Sequence, residues 1–176
     1  MHFTAEHRET TRNDFHRLVP ATFAQRGVWF LREMDEPGNL PHNHSIVLRL
    51  QGTLDVRALE QAVADVVSRH DIFRMSFDVR NGELWQVVHK DVRLDVLVHE
   101  DLRRGWSEDQ DRLIARRVEE ERRFRFDLTL CPLIRVVLLI CGNDKNMLVI
   151  TAPSLVLDDF SAGLLVKELE IGRAHV

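Results

Sequence analysis

Two nearly unbroken apolar runs, residues 133–140 and 147–151, constrain this chain more than any other feature. They are joined through Gly142-Asn143-Asp144-Lys145, a turn-forming stretch. Runs this short and this rich in Val, Ile and Leu read as strands, and their failure to alternate with polar residues means both faces are covered. Both should therefore be central strands with packing on either side. The flanking segments supply the cover. Behind Asp55, placed as an N-cap, Leu59, Ala62, Val63, Val66 and Val67 recur at three- and four-residue spacing and predict an amphipathic helix. Residues 45–51 and 94–99 read as further strands, and Asn81-Gly82 between residues 77–79 and 84–89 is a hairpin signal. The expected architecture is a layered α/β (α+β) lobe, a mixed sheet with flanking helices.

The remaining elements are read the same way. Residues 21–34 predict a short helix contacting the core through Phe23, Val28, Trp29 and Leu31, and Pro41 lies in a loop over residues 39–43. Ser107 and Gln110 have capping-box spacing, opening a helix with Leu113, Ile114 and Val118 inward and a solvated charged face. A final helix is expected over residues 160–169. Residues 1–18 are expected to be a polar lead-in and residues 19–169 one lobe. The tail, residues 170–176, matches the translation of a common sequencing adapter, so the expectation is that native sequence stops near Leu169 and that His175 carries no functional information.

Composition excludes several classes. At 44% hydrophobic and 30% charged residues the chain can build a packed core rather than remain disordered. A net charge of -4 argues against nucleic acid as main partner. No apolar run is long enough to span a bilayer, and the polar start has no signal-peptide h-region, so a cytoplasmic setting is expected. Cys131 and Cys141 lack metal-ligand spacing and read as small buried hydrophobes. His42 and His44, without companion ligands, read as surface histidines rather than a metal site.

Three segments resemble one family. Residues 22–31, Thr-Phe-Ala-Gln-Arg-Gly-Val-Trp-Phe-Leu, are similar to its opening motif around Ala-Gln and a Trp. Residues 69–77, Arg-His-Asp-Ile-Phe-Arg-Met-Ser-Phe, resemble its RHExLRTxF pattern, and residues 126–135, from Phe126-Asp127-Leu128 to Pro132-Leu133-Ile134-Arg135, its FDLxxxPLxR pattern. The family is the condensation domain of nonribosomal peptide synthetases. The resemblance implies the N-terminal lobe of a chloramphenicol-acetyltransferase-like fold, in which two lobes flank a tunnel. It implies carrier-protein partners and adjoining synthetase modules. It also implies no directly bound cofactor, because phosphopantetheine arrives on the carriers, and an acceptor amine attacking a donor thioester to make an amide. The second lobe's motifs have no place in this chain, so the chain as written is expected to be inactive.

The family's HHxxxDG motif falls on Pro153-Ser154-Leu155-Val156-Leu157-Asp158-Asp159. Only the aspartate, Asp158, matches. An imidazole can act as base or position the attacking amine near neutral pH, whereas a serine hydroxyl accepts no proton there. Ser154 is left with substrate positioning at most. The resemblance implies that Asp158 is a structural brace paired with Arg69, with Arg74 as second choice; an N-cap to the last helix is the alternative. The heterocyclising branch needs Asp at 153 or 154 and is excluded. A non-catalytic module that docks a carrier protein or partner stays open beside the enzymatic reading, and a different acyltransferase of the same fold would also need the missing histidine.

Overall fold

The computed structural model describes residues 15–34, 43–90, 92, 97–103 and 107–173. In chain order the elements are β1 (Phe15–Pro20), α1 (Phe23–Glu33), β2 (Asn43–Gln51), α2 (Val56–Arg69), a 3-10 turn (Asp71–Arg74), β3 (Met75–Arg80), β4 (Glu83–His89), β5 (Leu97–Asp101), α3 (Ser107–Arg122), β6 (Arg135–Ile140), β7 (Lys145–Pro153) and α4 (Asp159–Arg173). The expected loop over residues 39–43, apart from Asn43, and residues 94–96 of an expected strand lie outside the described residues.

The two apolar runs occupy the middle of a four-stranded sheet of order β2-β7-β6-β5. β2–β7 and β6–β7 are antiparallel, while β5 and β6 are parallel and joined through α3. Successive side chains of a strand point to opposite faces. Leu148, Ile150 and Ala152 of β7 join Leu59, Val63 and Val67 of α2 and Leu165 of α4 in one cluster. Val149, with Val137 and Leu139 of β6, forms a second cluster against Ile114 and Val118 of α3. The runs fail to alternate because both faces are dry. Each such aliphatic side chain stabilises by about 1.5–3 kcal/mol relative to exposure.

The hairpin forms as expected, with Asn81 (φ 53°) and Gly82 (φ 79°) both in the left-handed region that this tight turn requires. With β1 it makes a three-stranded sheet of order β1-β4-β3. Here the lead-in expectation is corrected, because β1 begins at Phe15, inside residues 1–18. Pairing with β4 is a backbone interaction and shows no apolar run in the sequence. α4 continues to Arg173, past Leu169.

Three side-chain expectations also change. In α1 Val28 and Trp29 pack on the core, but Phe23 is 93% exposed and Leu31 is also exposed, while Gln25 is buried in their place. Leu113 is exposed, and α3 packs through Ile114 and Val118. The Gln110 amide donates to the Leu102 carbonyl at 3.2 Å and the Cys141 carbonyl at 2.7 Å, tying α3 to the strand ends. Both cysteines are half-buried rather than buried, and desolvation raises both thiol pKa values.

Candidate functional site at the β7–α4 junction

The segment 153–159 connects β7 to α4. The amides of Val156 and Leu157 donate to the Pro153 carbonyl at 2.8 and 3.1 Å, curling the chain into a turn. Leu155, Val156 and Leu157 are buried and anchor it in the core. A second anchor comes from α1. Thr22 and Gln25 form a capping box at its start, and the buried Gln25 amide then donates to Gln86 Oε1 at 3.1 Å and to the Leu155 carbonyl at 3.2 Å. Gln25 thus links helix, hairpin and turn. Ser154, the turn's first residue, is half-buried.

Asp158 is exposed and accepts from the Ser161 amide at 2.8 Å, so it caps α4. The Ser161 amide, then its hydroxyl, hold the Asp158 carboxyl below its usual range, with His44 adding a favourable charge. The expected brace to Arg69 or Arg74 is not what the structure contains. Arg69 pairs with Glu168 of α4 at 3.3 Å. Glu168 lies ten residues beyond Asp158, about 15 Å further along the helix axis. Arg74 pairs with Asp71 within its own 3-10 turn and donates to the His89 carbonyl at 2.8 Å. The end of α2 meets the middle of α4, not its start. That geometry leaves the cap as Asp158's role.

The neighbouring acid does something else. Asp159 Oδ1 lies 3.3 Å from Nδ1 of His44, which sits on β2 opposite Ala152. A histidine from far upstream therefore stands beside the segment that lacks one. Sequence reasoning missed this pairing, since nothing in the spacing links the two residues. His42 lies outside the described residues.

His70 is packed and hydrogen-bonded: its Nε2 is 2.9 Å from both Glu168 oxygens and its ring sits edge-on to Phe73. His70, Phe73, Val156, Leu157, Leu164 and Glu168 line part of a cleft of about 340 Å³ against the turn. The third motif also has a structural task. Arg135 donates to Glu121 at 2.9 and 3.1 Å and lies 4.1 Å over the Phe124 ring. Arg117 closes on the same carboxylate at 2.8 Å, and Glu121 is only 1% exposed. The signal for Glu121 was its phase: it follows Ile114 and Val118 on one helix face. Among the described residues no group of three His, Cys, Asp or Glu side chains could hold a metal ion, and no helix is long and apolar enough to cross a membrane.

Residues 16–172 match the family model described as Condensation domain. Chondramide synthase cmdD of Chondromyces crocatus is 32% identical over 153 residues, 87% of this chain and 4% of the relative. Isonitrile lipopeptide synthase of Mycobacterium tuberculosis is 34% identical over 89% of this chain and 6% of its own length. The chain thus spans a few per cent of these curated relatives. Among solved structures, a complex of the X-domain and OxyB from teicoplanin biosynthesis matches with TM-score 0.75 at 30% identity, over 91% of this chain and 34% of that one.

Proposed function

Because the chain belongs to the condensation-domain family of nonribosomal peptide synthetases, we propose that it forms part of a domain joining a carrier-tethered thioester donor to a carrier-tethered amine acceptor as an amide. The observation that carries this reading is the match over residues 16–172; the segment 153–159, between β7 and the start of α4, supports it as the site. Phosphopantetheine enters as the arm of the substrates. Carrier proteins and neighbouring modules are the partners, and the setting is cytoplasmic. Ser154 contributes positioning, since its hydroxyl takes up no proton near neutral pH. The Asp158 cap and the Gln25 anchor hold the turn in which Ser154 sits, and such fixed orientation is itself a source of rate.

A second reading has its own support. Pro153 and Ser154 stand where the motif histidines would, and one relative in structure is an X-domain seen in complex with OxyB. On this reading the domain is a non-catalytic dock for a carrier protein or another enzyme. One experiment separates the two: donor and acceptor carriers are loaded, the full-length protein is added, and amide product is followed by mass spectrometry. Product from the unaltered protein that falls in Ser154→Ala, and falls also in Asp158→Ala as the turn loses its cap, supports catalysis by positioning. Measurable carrier binding with no product from any loaded pair supports the dock.

A further inference from the structure

We infer that His44, oriented by Asp159, is the proton-transferring residue of the β7–α4 site, taking the acceptor's proton on Nε2 where the motif segment offers only Ser154. The inference rests on the amide-forming reading above. Its observation is the pairing of Nδ1 of His44 with Oδ1 of Asp159 at 3.3 Å.

The placement follows from strand register. Asn43 lies opposite Pro153 and His44 opposite Ala152, so the imidazole starts beside the last residues of β7. By alternation it shares a face with Ile46 and Leu48, which pack against the α2–α4 side of the sheet. Ser45 points the other way, to Thr151 Oγ1 at 3.1 Å. The ring therefore projects from beside Ala152 toward Asp159 in the first turn of α4.

The two adjacent acids divide their work. Asp158 is committed to the Ser161 amide, which leaves Asp159, whose side chain is fully exposed, for the histidine. An acid at Nδ1 favours the tautomer protonated there and leaves the Nε2 lone pair as the acceptor. Of the histidine–carboxylate pairs among the described residues, the other two engage the opposite nitrogen: His70 and His99 meet Glu168 and Glu60 through Nε2. Of these three, His44 alone keeps the outer nitrogen clear of its acid. Its side chain is 32% exposed, so a substrate can reach it.

The step balances without an outside reagent. As the acceptor nitrogen bonds to the thioester carbonyl carbon, its proton passes to Nε2 of His44. The C–S bond then breaks, and the imidazolium returns that proton to the departing thiolate, so phosphopantetheine leaves as the free thiol. His44 is the catalytic residue and Asp159 a positioning residue.

The test uses the full-length protein with donor and acceptor carriers loaded in turn with each of the twenty aminoacyl groups. His44→Ala and His44→Gln should lower amide formation by about 10²–10⁴-fold, and added imidazole should restore part of the rate in His44→Ala. Asp159→Asn should give a smaller loss, and His99→Gln none. In nitrogen-15 spectra of histidine-labelled protein, His44 should carry its proton on Nδ1, and Asp159→Asn should erase that preference. Full turnover in both His44 variants, or a proton on Nε2, overturns this inference and leaves the amide-forming reading standing. No product from the unaltered protein with any pair overturns both.

Discussion

Glu121 and the Asp158–Asp159 pair are both acidic sites held by the same sheet, and they differ in almost every physical respect. Glu121 is fully enclosed, gripped by Arg135 and Arg117 from two elements, with Phe124 covering the Arg135 guanidinium. A buried carboxylate is tolerated only when such partners replace water. Asp158 and Asp159 face solvent, and each is occupied by one local or cross-strand contact. The enclosed site ties α3 to β6 and has no room for a ligand. The open site, beside a cleft, keeps its groups available for chemistry. Charged residues of the lobe thus divide into those that hold it together and those left at its surface.

The contrast can be broken at the enclosed site first. Glu121→Ala takes the carboxylate from Arg135, while Arg117 keeps Glu100 at 2.7 Å, and should lower stability by about 3 kcal/mol, read from urea unfolding. A loss below about 1 kcal/mol would mean that water or rearrangement replaces the clamp. Next in size is Gln25→Leu, which leaves Gln86 and the Leu155 carbonyl without a buried donor and should cost about 1–3 kcal/mol. The amides of Val156 and Leu157 should then exchange faster with solvent, because the turn has lost its tie to α1.

Asp158→Ala should have a smaller effect, seen as faster exchange of the Ser161 amide at the start of α4. Combined with Arg69→Ala, its effect should be additive, as for groups that share no partner; clear coupling would restore the brace. The smallest effect is expected from pH. Hydrogen bonding to His70, then the charges of His70 and Arg69, hold the Glu168 carboxyl below its usual range. A carboxyl with its folded pKa below the unfolded one adds stability above the ordinary carboxylate range and loses it as pH falls through the folded value. The pair is partly exposed, so under about 1 kcal/mol is at stake. His70→Ala should flatten that part of the acid limb in unfolding midpoints taken between about pH 6 and pH 3.

Much of the lobe was legible because its signals are local. The hairpin needs Asn81-Gly82, α2 needs Asp55 and a 3.6-residue apolar phase, and the two central strands need only their own composition. β1 was not legible, since strand pairing by backbone alone leaves no mark on residues such as His16 and Arg17. The candidate site was legible as a location, the junction after β7, and not as a set of contacts. The tether from Gln110 to the Leu102 and Cys141 carbonyls was not legible either, because it depends on which carbonyls come near.

What the sequence determined on its own is the alternation of elements and the apolar faces they bury, for hydrophobic periodicity acts over a few residues and needs no knowledge of distant ones. The choice of partner for each charge was left to tertiary structure. Arg69 meets Glu168 across 99 positions, and His44 reaches Asp159 only because β2 lies beside β7. Coulomb attraction and hydrogen bonding fall away within a few ångströms of contact, so packing of the sheets and helices decides which groups come that close.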